Sequence, residues 1–182
     1  KEWRVLVSIA DVSYYVKSNS ALDKEAKIRG NSVYLPNFVI PMLPEELSND
    51  RCSLRPNEDR LCLTVEIILD EKGNKKSHSF FRSVINSKKR LTYQQVDDVI
   101  DKKNTDEIFD NEIIKVIKSL HDVYLILEIL REKRGALNLE LPERKILFND
   151  SGWPIQIKKT YGLTSNKIIE ELMILANVSA AE

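Results

Sequence analysis

Metal-assisted hydrolysis of a phosphodiester needs several carboxylates converging on one or two cations. The adjacent acidic pairs in this sequence are Glu45-Glu46, Glu58-Asp59, Asp97-Asp98 and Glu170-Glu171. None has the tight Asp-x-Asp-Asp character that would gather carboxylates at one point. Helix neighbours diverge by about 100°, so neither Asp97-Asp98 nor Glu170-Glu171 can aim both carboxylates at one metal. The expectation for most of these residues is solvated surface charge. His78 and His121 are the only histidines, and no motif ties a serine or cysteine to either as a nucleophile pair. The 5 glycines show neither GxGxxG nor GxxxxGK spacing, so no phosphate-cradling loop is indicated. Two tyrosines remain. Tyr34 lies in a proline-rich extended stretch and Tyr93 in the first turn of a helix. Aromatic faces stack on single-stranded bases whatever the sequence, although a lone tyrosine more often serves packing.

The elements that must position these residues are mixed. Trp3 to Ala10 reads as a strand with Val5, Val7 and Ile9 on one face, and its obvious hairpin partner would lie upstream. Leu22 to Arg29 reads as a short amphipathic helix stopped by Gly30. From Ser32 to Pro44 the chain is extended, because Pro36, Pro41 and Pro44 exclude a helix interior and a central strand. Leu61 to Leu69 alternates, placing Leu61, Leu63, Val65, Ile67 and Leu69 on one face. A turn over Asp70 to Asn74 and a strand over Ser79 to Ile85 complete a hairpin.

Thr92 and Gln95 fit a capping box that starts a helix carrying Val96, Val99 and Ile100. A polar loop over residues 101–106 precedes a long helix from about Asn111 to Arg134. Its stripe is Ile113, Ile117, Leu120, Tyr124 and Leu127; Gly135 caps it, and three heptads are too few to prefer a coiled coil. A small hairpin follows, with strands at Lys145 to Phe148 and Pro154 to Lys158. The final helix runs from Ser165 to Glu182 with Ile168, Ile169, Leu172, Met173, Leu175 and Ala176 at helical spacing. The expected fold is mixed α+β, an antiparallel-rich sheet with helices packed on it. With no C-terminal stop signal and an N-terminal strand lacking its partner, the expectation is that residues 1–182 are an excised fragment or a proteolytic product, truncated at both ends.

The chain of 182 residues has no net formal charge, with 28 Lys+Arg against 28 Asp+Glu. Nucleic-acid binders are usually basic, which argues against an autonomous RNA-binding module. Cys52 and Cys62 form no CxxC pair and no zinc signature. They read as small apolar residues in a reducing compartment. No apolar run is long enough to span a bilayer.

A further set of residues is more specific. Ile9-Ala10-Asp11-Val12-Ser13-Tyr14-Tyr15-Val16, Leu22-Asp23 through Arg29 and Val33-Tyr34-Leu35-Pro36 resemble signature stretches of the ribonuclease II/ribonuclease R family, within its RNB catalytic domain. So do Ile40-Pro41-Met42-Leu43-Pro44-Glu45-Glu46-Leu47-Ser48-Asn49, Cys52-Ser53-Leu54-Arg55-Pro56, Arg90-Leu91-Thr92-Tyr93, Arg134-Gly135, and Lys167 through Asn177. The matches are colinear, cover nearly the whole chain, and are closer to ribonuclease R than to ribonuclease II.

The resemblance implies a parent that degrades single-stranded RNA processively from the 3′ end. It would release nucleoside 5′-monophosphates with Mg²⁺, in the cytoplasm, with no membrane partner and no small-molecule cofactor. It also implies that the metal-binding aspartates lie upstream of Lys1, so that no catalytic or metal ligand is expected here and the fragment is expected to be inactive alone. Carried over by position, Tyr34 stacks near the terminal bases and Tyr93 lies close to the last nucleotide. Glu170 accepts hydrogen bonds from the ribose, including the 2′-OH. Leu139 stands where the family often has a second stacking aromatic, and Asp11 is a further RNA-binding candidate, its bland alternative being an end-of-strand turn former. For Glu171 a surface charge is preferred over an orienter of Glu170. The competing reading is a non-catalytic RNA-binding or scaffold module of the same fold.

Overall fold

The computed structural model describes residues 2–101, 109–137 and 141–182, with the side chain of Glu143 excluded. The expected loop over 101–106 therefore lies, beyond Asp101, outside the described residues, and so does Leu139.

Three strands form the main sheet: β1 (Glu2–Ala10), β4 (Asp59–Asp70) and β5 (Lys75–Asn86), in the order β1-β4-β5 and all antiparallel. The described partner of β1 is thus β4, downstream, with Val5 opposite Ile67 and Val7 opposite Val65. Val5, Val65, Ile67 and Leu69 present one apolar face. On it pack Val123, Tyr124 and Leu127 of α4 (Asn111–Lys133) and Ile168 and Leu172 of α5 (Thr164–Ala181). A smaller core joins Val99 of α3 (Tyr93–Ile100) to Phe109 and to Ile114 and Ile117 of α4.

The expected alternation along β4 holds only for part of the strand. Leu63 is exposed, whereas Cys62 and Thr64, pointing the other way, are buried. The reason is coverage: the core contributed by α4 and α5 lies over the Val65-to-Leu69 end and leaves Leu63 open. On the opposite face the Thr64 hydroxyl shares hydrogen bonds with Ser8 (2.8 Å) and Ser83 (2.6 Å). That network satisfies a buried polar group that would otherwise be costly. Burial also pushes the Cys62 thiol pKa up.

Outside the sheet the elements are small. Asp11 caps a single turn, α1 (Val12–Tyr15); Ser20 caps α2 (Ala21–Arg29), where Gly30 at φ 76° ends the helix. Helix α2 buries no residue and leaves Ile28 exposed, so its expected amphipathic face meets no core. The proline-punctuated stretch is a hairpin of β2 (Val33–Leu35) and β3 (Phe38–Ile40), tied to α2 by Arg29 donating to the Pro41 carbonyl at 3.1 Å. A π-helical turn spans Glu46–Arg51. The last hairpin pairs β6 (Glu143–Phe148) with β7 (Pro154–Thr160), and neither strand joins another sheet. No described helix is long and apolar enough to cross a membrane.

Candidate nucleic-acid interface

Helix α5 organises the site, and its N-terminus is held from far away in sequence. Thr92 and Gln95 form the expected capping box, Gln95 N–H donating to Thr92 Oγ1 at 3.3 Å and Thr92 N–H to Gln95 Oε1 at 2.9 Å. This starts α3 and sets Tyr93 in its first turn, half exposed. One turn on, Asp97 turns inward. Its carboxylate accepts hydrogen bonds from the backbone N–H groups of Thr164 (3.2 Å) and Ser165 (2.8 Å). It is buried, not the solvated charge the sequence suggests. The first N–H groups of a helix lack internal partners and carry its positive dipole end, so a buried carboxylate is stable there. Ser165 Oγ returns a bond to the Tyr93 carbonyl at 2.9 Å. Helices α3 and α5 are therefore fixed to each other by three hydrogen bonds, one of them at the Tyr93 carbonyl.

Two turns into α5, Glu170 is exposed while Glu171 is 4% exposed. Glu171 accepts from Arg131 Nη1 of α4 at 2.5 Å. The expected surface charge is instead the buried half of an ion pair, and it fixes the rotation of α5 about its axis. With Glu171 turned inward, the 100° step between neighbours sends Glu170 outward.

Glu170 lines a cavity of about 400 Å³ together with Tyr124, Arg131, Tyr161 and Lys167. Glu128, Glu132 and Glu171 line it too, so carboxylates outnumber cations. Buried Tyr124 donates to Glu128, and burial first, then that carboxylate, holds the phenol far above its ordinary pKa. Such a cavity suits hydroxyl donors better than phosphates. Tyr93 lines a second, apolar cavity of about 170 Å³ with Ile168 and Ile169 of α5.

Tyr34 is 79% exposed on the β2–β3 hairpin, its ring open to stacking. It lines neither cavity. Asp11 is buried and fully engaged: it accepts from Ser13 Oγ (2.5 Å) and Tyr14 N–H (3.1 Å), and pairs with Arg82 Nε (3.0 Å). The Ser13 hydroxyl and then the Arg82 charge hold its carboxyl below the ordinary 3.8. Leu139 lies outside the described residues. Among the described residues no three of His, Cys, Asp and Glu converge on a metal position, so the described donor set does not fit a magnesium ion.

An antiparallel sheet backed by two helices, with a carboxylate-rich cavity beside α5, defines an α+β domain. The RNB domain matches residues 1–182, and the chain belongs to that family. It is 44% identical over 179 residues to ribonuclease R of Vibrio parahaemolyticus, and likewise to that of Escherichia coli K12. Each match takes in 98% of this chain but 21% and 22% of those proteins, so the chain spans about a fifth of the relatives it matches. RNase R of Mycoplasma genitalium, solved in complex with ribose methylated single-stranded RNA, superposes with a TM-score of 0.90 at 36% identity, over 96% of this chain and 27% of that one.

Proposed function

We propose that the protein to which this chain belongs is a processive 3′-to-5′ exoribonuclease that hydrolyses single-stranded RNA to nucleoside 5′-monophosphates. The observation that carries this reading is the 44% identity to ribonuclease R over 98% of this chain. In this reading the chain forms part of the wall that receives the RNA 3′ end, while Mg²⁺ and its aspartates belong to sequence preceding Lys1. Glu170 accepts hydrogen bonds from the 2′- and 3′-hydroxyls of the terminal ribose. Its exposure beside a carboxylate-rich cavity supports that role, since DNA lacks one of the two donors. Tyr93 packs near the last nucleotide, Tyr34 stacks on a base nearby, and Leu139 gives an apolar contact. Asp11, paired with Arg82 at the end of β1, is a further candidate contact to the RNA. In this reading the reaction takes place in the cytoplasm.

The test is made on the full-length protein. With 5′-labelled single-stranded RNA, shortening from the 3′ end and release of 5′-monophosphates are expected. Release of 3′-phosphates or internal cuts would refute the reading. Glu170→Ala is expected to narrow the preference for RNA over DNA 3′ ends by about 1–3 kcal/mol, the cost of an unmade polar contact. Unchanged discrimination in a competition assay removes the ribose role from Glu170.

A further inference from the structure

The β6–β7 hairpin has a feature that the 3′-end site does not use. Its cross-strand register sets Arg144 directly opposite Lys159 and Lys145 directly opposite Lys158. Successive strand residues alternate faces, so each face of the ribbon carries one like-charge pair. All four side chains are exposed. The ribbon's own acidic residues are only Glu143 and Asp150. Like charges placed directly opposite destabilise a hairpin. This concentration of positive charge, in a chain with no net charge, is complementary to a polyanion.

The ribbon is also continuous with the candidate site. Leu141, just before β6, and Tyr161, just after β7, line the same cavity as Glu170. At about 3.3 Å per strand residue, Lys159 stands about 7 Å from Tyr161 along the chain. At the far end Trp153 is 71% exposed, a π-face on which a base can stack.

We propose that the β6–β7 ribbon is a second RNA-binding surface, one that holds the phosphate backbone of the single strand whose 3′ end lies at Glu170. It rests on the 3′-end reading above and extends it to nucleotides further from the end. The cations contact phosphates and give affinity without sequence preference. The carboxylate-rich cavity reads the terminal sugar.

The experiment uses the full-length protein with Arg144, Lys145, Lys158 and Lys159 all changed to Gln. Single-stranded RNAs of about 5 and about 30 nucleotides separate the terminal site from an extended groove. KM for the long RNA is expected to rise about tenfold or more, and its log–log salt dependence to flatten by about 3, the share of four lost phosphate contacts. kcat and turnover of the short RNA stay unchanged. Restoring charge with Arg at all four positions should return KM to the wild-type value. An unchanged KM for the long RNA overturns the proposal, as does an equal loss on both lengths or failure of the arginine variant to rescue. If the wild type degrades no RNA, the 3′-end reading fails, and fluorescence anisotropy with the long RNA still decides on the ribbon. Weaker binding by the glutamine variant supports it. Unchanged RNA binding, with lost binding to a polyglutamate peptide, overturns it in favour of an acidic protein partner.

Discussion

Three carboxylates with the same local sequence character meet different fates. Asp97 caps a helix 68 residues away, Glu171 pairs with Arg131, and Glu170 stays exposed at the cavity. Nothing in the local sequence separates them, because what each meets is supplied by distant elements. Asp11 is different, since its cap and its Ser13 partner are local and a turn-forming role was readable; Arg82 was not. Asp11 carries a pH prediction. Its folded pKa lies below the ordinary 3.8, so its stabilisation is present above the unfolded value and is lost as pH falls through the folded one. Unfolding midpoints should fall below about pH 4 in the wild type and fall less steeply in Asp11→Asn. Parallel acid-unfolding profiles would contradict the assignment.

At the scale of elements, helix and strand periods located every long element, and boundaries moved by only a few residues. The capping box at Thr92 and Gln95 formed as read, because both partners lie within one turn. The helix over Leu22 to Arg29 formed but found no core, so a helical pattern there reported conformation and not packing. The β4–β5 turn shows how elements fix one another. Gly73 has φ +84°, and a Cβ there would stand 2.6 Å from Ile126 Cγ2 of α4. Gly73→Ala should therefore destabilise by about 1–3 kcal/mol, through overpacking added to backbone strain. Gly152 has φ +79° with nothing within 4 Å, so Gly152→Ala carries the backbone cost alone. Chemical denaturation should rank the Gly73 variant below it; equal losses would remove the packing contribution.

For the whole molecule, the division of labour within the proposed nuclease sets the expectation. A pure preparation of the 182-residue chain should show no Mg²⁺-dependent release of nucleotides from single-stranded RNA. Release that a chelator abolishes would mean that these residues complete a metal centre after all. The family was legible in the sequence because colinear motifs survive along the entire chain. So were the strand and helix periods, the local caps and the candidates Tyr34, Tyr93 and Glu170. Only the tertiary structure decided that α4 and α5 cover one end of β4 and leave Leu63 exposed, while Thr64 is buried on the opposite face. It also joined Tyr93 to α5 through Asp97 and Ser165, and turned Glu170 outward by burying Glu171 against Arg131. The physical reason is range: periodicity and capping act within a few residues, whereas burial and ion pairing depend on which distant surface arrives.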